Sequence, residues 1–336
     1  MKTARTSIAF AMAAIFMAAG TAMAAPKLNL GAASNNGGMI VFAGVDRGIF
    51  AKHGIDAKAA VRNTGAQLTK SLKAGQIDFA PAAFTNLPAA LERGIKVRGV
   101  VGYVGASYSK PTTDAMVGIA VRPGTGISSI ADLKGRKVGA TFGSTGDLYL
   151  RTVLSKSGIN KSNYRRINVR PPSIVSLFDS GGVDAMVAWE PYLTRMLDKV
   201  KGAKLVSRGG DHVCFCAGMH GDPDTVYRDK KVTQAFVNGM AEAAAWVRDP
   251  KNADEVVKIG VRYVRGVSPK LFKRTLKYWT YDPRLGENTF KAFKFSVKQL
   301  IAQKKMKRPY DPKKYFDLTF INRTMKEHPE WFKDLK

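Results

Sequence analysis

Cysteine is almost missing from this chain: its 336 residues include two, Cys214 and Cys216, in one Cys-Phe-Cys run. Acidic residues are also scarce, 26 against 54 Lys and Arg, which gives a formal charge of +28. The cations are scattered rather than blocked, and no RNA-binding or helix-turn-helix signature accompanies them, so nucleic acid is not an expected partner. The charge reads as a solvated basic surface that attracts anions at long range. There is no Walker loop, no His-Glu-x-x-His and no Gly-x-Ser-x-Gly, and the glycine-rich stretches fit no dinucleotide fingerprint. Beyond the first residues, no stretch is long and apolar enough to span a bilayer.

What the N-terminus does have is an export pattern. Lys2 and Arg5 precede an apolar run from Ile8 to Ala19, and Ala22-Met23-Ala24 has small residues where a signal peptidase needs them. The expected cut follows Ala24. The run is shorter than the ~20 residues of a membrane anchor. What remains is too long for one ordinary core, and two domains of ~150 residues are the natural expectation.

Strand and helix signals then alternate. Lys27–Leu30 reads as a strand entering the polar loop Ser34-Asn35-Asn36-Gly37-Gly38, and a helix follows that Gly54 ends. Further strands are expected at 57–61, 77–79 and 97–104, with helices at 67–74 and 87–93 between them. The pattern restarts with strands at 117–121, 137–141, 167–169 and 183–188. Gly143-Ser144-Thr145-Gly146 opens a helix after the second of these. From Val213 onward the chain reads as mostly helical, with helices at 232–247, 254–264, 269–278 and 287–304. Alternating α and β elements imply parallel sheets covered by helices on both faces.

Four stretches, taken in order, carry a resemblance: Gly44-Val45-Asp46-Arg47-Gly48-Ile49-Phe50 with His53-Gly54-Ile55; Leu72-Lys73-Ala74-Gly75-Gln76-Ile77-Asp78-Phe79-Ala80; Asp132–Gly139 running into Gly143–Gly146; and Gly182-Val183-Asp184-Ala185 running into Trp189-Glu190-Pro191. Together, over about residues 27–250, they resemble the nitrate, sulfonate and taurine type of periplasmic solute-binding protein, which serves ABC importers. The resemblance implies a two-lobed type II periplasmic binding fold, each lobe a mostly parallel sheet flanked by helices. Lobe one would be residues 25–117 and 213–336, lobe two would be 118–212, and residues 1–24 would be the signal peptide. It also implies a monomer without cofactor or catalysis, closing on a small solute and docking on a permease in the cytoplasmic membrane.

Ligands in open α/β sheets bind beyond the carboxyl ends of the strands, and the candidate residues follow from that. Gly143, Ser144, Thr145 and Gly146 form a helix start whose N–H groups suit a carboxylate, sulfonate or nitrate; an ordinary N-cap needs the same residues. Trp189 is expected to stack on a planar ligand. Glu190 is expected to accept from an amine or ring N–H, or to pair with a cation of lobe one. Asn35 and Asn36 after the first strand, and Phe84, Thr85 and Asn86 after the third, are expected to complete lobe one, although Asn pairs also serve turns.

The cysteines leave alternatives. In a strand, Cys214 and Cys216 share a face with Cα atoms roughly 6.6 Å apart, close to the ~6.8 Å limit for a disulfide. Free, buried thiols are therefore expected, and His212 with the two cysteines is a candidate soft-metal triplet. Cys-Phe-Cys also ends the cysteine-rich run of enzymes that make the thiamine pyrimidine and resemble this chain. That resemblance implies a pyridoxal-phosphate Lys and a His that is consumed, and here Ala82 and Asn86 stand at those places. A thiamine-pyrimidine precursor as the bound solute is the alternative that remains.

Overall fold

The computed structural model describes residues 24–108, 114–210, 212 and 214–335. All of the expected signal peptide, residues 1–24, except Ala24 lies outside the described residues.

Two five-stranded sheets form the frame. The first contains β1 (Lys27–Ala33), β2 (Asp56–Arg62), β3 (Phe79–Ala83), β4 (Arg98–Val104) and β10 (Ala217–Gly221), ordered β2-β1-β3-β10-β4. The second contains β5 (Val117–Val121), β6 (Lys137–Ala140), β7 (Arg165–Asn168), β8 (Ala185–Trp189) and β9 (Lys204–Arg208), ordered β7-β6-β8-β5-β9. The central strands read as unbroken apolar runs because both faces are covered. Every residue of Val117-Gly118-Ile119-Ala120-Val121 and Ala185-Met186-Val187-Ala188-Trp189 is buried. The edge strand β2 alternates weakly and stays partly exposed.

Four of the five strands in each sheet point the same way. The exceptions are β10, antiparallel to β3 and β4, and β5, antiparallel to β8 and β9. These two reversals carry the architecture. The chain leaves β4 at its carboxyl end and enters β5 at its amino end, and β9 hands over to β10 in the same way. Both crossings between the sheets therefore lie at the edge where the carboxyl ends of the parallel strands converge. Neither β9 nor β10 was expected from the sequence: β9 is half-exposed, and β10 consists of Ala-Gly-Met-His-Gly, which carries no strand periodicity.

The helices complete the layers. Lys230–Arg248 begins at Asp229, whose side chain accepts from the N–H groups of Lys231 and Val232. It buries Phe236, Val237, Met240, Ala241 and Ala244, and Phe236 stacks on Phe79 of β3 with ring centroids 4.1 Å apart. Glu287–Ala302 and Thr319–Glu327 close the first sheet around Phe316, which meets Phe84, His220 and Phe293 edge-on. The second sheet is covered by Thr145–Lys156, Ile174–Asp179 and Tyr192–Lys199. No helix of the described residues is long and apolar enough to cross a membrane.

Candidate functional site

The convergent strand ends surround a cavity of about 190 Å³ between the two sheets. Asn35 follows β1, Thr64 follows β2 and Asn86 follows β3, while Thr141 to Thr145 follow β6 and Trp189 ends β8. The reversed strands bring their amino ends, Val117 and Ala217, to the same place. Among the described residues, no Lys, Arg, His, Asp or Glu lines this cavity. Its polar groups are amides, hydroxyls and indoles, and its walls include Phe142, Phe215, Trp189 and Trp279.

The helix start is built as its residue types require. Gly143 takes φ +73°, a conformation that a side chain resists, and this turns the chain from β6 into Thr145–Lys156. Ser144 is the N-cap; its hydroxyl accepts from the N–H of Asp147 at 3.3 Å. The buried carboxylate of Asp147 then accepts from the N–H of Gly143 at 3.2 Å and from Arg166 at 2.8 Å, with Arg151 3.6 Å away. The positive end of this helix thus already has its own carboxylate. What it offers a ligand is Thr145, Ser144 and the turn itself, rather than an uncompensated anion seat.

Three buried donors give the cavity its character. The indole N–H groups of Trp189 and Trp279 and the hydroxyl of Tyr103 have no hydrogen-bond partner among the described residues, and all three side chains line the cavity. Burial pushes the Tyr103 phenol well above its ordinary range, so it remains a donor. Leaving such a group without a partner costs about 1–3 kcal/mol. All three side chains meet at one hollow, with the donor atoms themselves enclosed by the surrounding protein. Trp279 sits close over the turn at Gly37, where a Cβ would lie 2.8 Å from the indole ring, so the loop after β1 needs glycine there.

The expected residues divide. Asn35, Asn86, Gly143, Ser144, Thr145 and Trp189 line the cavity, and Thr85 lines the larger hollow that adjoins it, with its hydroxyl buried and without a partner among the described residues. Asn35 also caps the turn after β1, accepting from the N–H of Gly37 at 2.8 Å. The structure places Asn36, Phe84, Gly146 and Glu190 elsewhere. Asn36 is turned into the core and donates to the Thr275 hydroxyl at 2.9 Å. Phe84 fills the space beneath Gly218 and packs on Phe316. Gly146 is buried under the Trp189 ring.

Glu190 is fully buried and serves the frame. It accepts from the N–H of Thr194 at 3.1 Å and its hydroxyl at 2.9 Å, and pairs with Arg208 at 2.8 Å. The cation comes from β9 of the same sheet, not from the other lobe. The Arg208 guanidinium also donates to the carbonyl of Ala115 at 2.7 Å and lies 3.9 Å over the ring of Tyr278. It thereby ties β9 to the first crossing and to the C-terminal helical region.

Cys214 and Cys216 form a disulfide, which corrects the expectation of free thiols. The physical reason is that the segment is not a strand: β10 starts only at Ala217, and the irregular backbone brings the two Cα atoms to 5.1 Å. The soft-metal triplet goes with it, because bridged sulfurs are not thiolate ligands. His212 instead has Nδ1 2.8 Å from the Lys156 amine. Among the described residues no group of three or more His, Cys, Asp or Glu is placed to hold a metal ion. The bridge brackets Phe215, whose ring forms part of the cavity wall.

Residues 22–261 match the NMT1-like family. The chain belongs to that family. It is 30% identical over 169 residues to a Brucella abortus protein named as a binding protein, an alignment that covers 49% of this chain and 48% of that one. The chain thus spans about half the length of the first curated relatives it matches. A Bacillus subtilis protein named as an aliphatic sulfonates-binding protein is 26% identical over 289 residues, 83% of this chain and 81% of that protein. The alkanesulfonate-binding protein SsuA from Xanthomonas axonopodis pv. citri, solved with bound MOPS, superposes with a TM-score of 0.74 at 20% identity, covering 87% of this chain and 98% of that one. The NMT1-like chain therefore has the two-lobed type II periplasmic binding fold. Tyr103, Phe142, Phe215 and Trp279 are the aromatic cavity residues that sequence reading missed. Trp279 lies in the C-terminal region, where the family motifs end; a lone tryptophan after a helix carries no signal of its own.

Proposed function

We propose that this protein is exported, cut after Ala24, and captures a small solute in the cleft for an ABC permease in the cytoplasmic membrane. Residues 25–117 and 213–336 act as one lobe and 118–212 as the other, hinged at the two crossings. The observation that carries this reading is the cavity at the convergent strand ends, uncharged and bordered by three buried donors without a partner among the described residues. A solute that bridges the lobes favours the closed form by its differential affinity for closed over open, and the permease reads the closed shape. Asn35, Thr85, Asn86, Ser144, Thr145 and Trp189 are the proposed contacts from the loops, with Gly143 shaping the turn and Tyr103 and Trp279 added.

The protein works as a monomer, without cofactor or catalysis. The positions that the related pyrimidine-making enzymes give to reactive groups are Ala82 and Asn86, and both line this cavity, where neither can form an imine or be consumed. A second reading, a thiamine-pyrimidine precursor as the solute, rests on the aromatic walls. The test is a thermal-shift screen of ligand-stripped protein against sulfonates, nitrate, aromatic acids and pyrimidines. A true solute at 100 times its dissociation constant adds about 2.7 kcal/mol. Uniform absence of any shift refutes the solute-binding reading.

A further inference from the structure

The cleft has two chambers of opposite character. The inner one, about 190 Å³ and enclosed by the convergent strand ends, is aromatic and contains no ionised side chain among the described residues. The outer one, about 850 Å³, shares Asn86, Phe142, Gly143 and Ser144 with it, so the two are continuous. Five cations line the outer chamber: Arg93 and Lys305 from the first lobe, and Arg151, Lys161 and Arg166 from the second. The single carboxylate there among the described residues, Asp147, is already committed to Arg166, Arg151 and the Gly143 N–H. Arg93, Lys161 and Lys305 have no carboxylate partner among the described residues.

Phe142 stands at the boundary. It is 40% exposed, unusual for a large apolar side chain in this molecule, and Arg166 lies 4.0 Å over its ring. The inner volume fits one ring and little more, since a cavity of ~150 Å³ is enough to take benzene.

Resting on the solute-binding reading, we infer that the solute is a planar ring carrying an anionic substituent, with the ring in the inner chamber and the anion in the outer one. The ring packs against the walls formed by Trp189, Trp279, Phe215 and Tyr103. The anion faces the unpaired cations of the larger chamber, whose charge attracts it at long range. This orientation puts no bare anion on the helix start, where Asp147 already sits.

Three probes separate the terms in calorimetric titrations: benzenesulfonate has ring and charge, benzamide has the ring alone, and methanesulfonate has the charge alone. Benzenesulfonate is expected to bind at least tenfold more tightly than either. The exposed pair Arg93→Gln and Lys305→Gln, made together, should weaken benzenesulfonate about tenfold and leave benzamide unchanged. Raising salt from 50 to 500 mM should act in the same direction on the wild type. Methanesulfonate binding as tightly as benzenesulfonate overturns the two-chamber assignment while leaving a solute-binding protein intact. So does a benzenesulfonate affinity that neither the double variant nor salt alters, or failure of benzenesulfonate where other solutes bind. No binding by these probes or by any solute of the wider screen overturns both.

Discussion

Replacing Arg208 with Met tests whether Glu190 belongs to the frame or to the ligand. The Glu190 carboxylate is fully buried, with Arg208 as its ion-pair partner and two hydrogen bonds from Thr194. Arg208→Met removes the cation and leaves the charge. Breaking a buried pair from one side costs about 3–5 kcal/mol. The two Thr194 bonds survive, which sets the expectation at the lower end, about 3 kcal/mol. Glu190→Gln should cost less, about 1–2 kcal/mol, because the Arg208 side chain is 18% exposed and keeps Ala115 and Tyr278. The double variant should cost less than the sum, since it strands no charge. Scanning calorimetry is the assay, and a loss of about 3 kcal/mol corresponds to a fall of roughly 5–10 °C in Tm. Ligand affinity of Glu190→Gln should stay within about threefold of wild type. A cost below about 1 kcal/mol for Arg208→Met would refute the structural role. So would a Glu190→Gln protein that unfolds normally and no longer binds solute.

Three further predictions concern other parts of the molecule. Burial holds His220 at about 4, below its unfolded value near 6.5. The unfolded chain therefore takes up this proton first as pH falls, and stability present above pH 6.5 should drain away by about 3 kcal/mol down to pH 4; His220→Leu should flatten that part of a stability–pH curve, and an unchanged slope counts against it. Reducing the Cys214–Cys216 bridge opens a very short loop, so the loss should be only about 1.5 kcal/mol, and mass spectrometry after alkylation should find no free thiol before reduction. Tyr103→Phe removes an unpartnered buried hydroxyl, so the empty protein should gain up to about 1 kcal/mol in thermal unfolding while solute affinity falls. Loss of both stability and affinity would place a partner on that hydroxyl.

Much of the site was legible, for local reasons. Gly143-Ser144 at a strand-to-helix turn has a conformational requirement that only a few residue types meet, and the structure uses both as that requirement dictates. Trp189 at the end of an apolar strand, and Asn35 and Asn86 after two others, were placed by the rule that strand ends face ligands. The misplacements share one cause: which way a side chain turns depends on what packs against it. Asn36 is adjacent to Asn35 in the chain but meets Thr275, 239 residues away. Glu190 follows Trp189 directly and turns instead to Arg208.

The sequence by itself determined the export pattern, the alternation that demands covered parallel sheets, and the turn chemistry at each strand end. These rest on interactions among residues a few positions apart, or on backbone limits that need no partner. The tertiary structure alone decided that β5 and β10 run backwards, because strand direction depends on where the crossings place the chain. It also decided that Cys214 and Cys216 are bridged, because β10 begins one residue after them and leaves the backbone free to contract. And it decided that Trp279 returns from the C-terminal helices to stand near Trp189 over one uncharged cavity, a convergence of segments no linear pattern records.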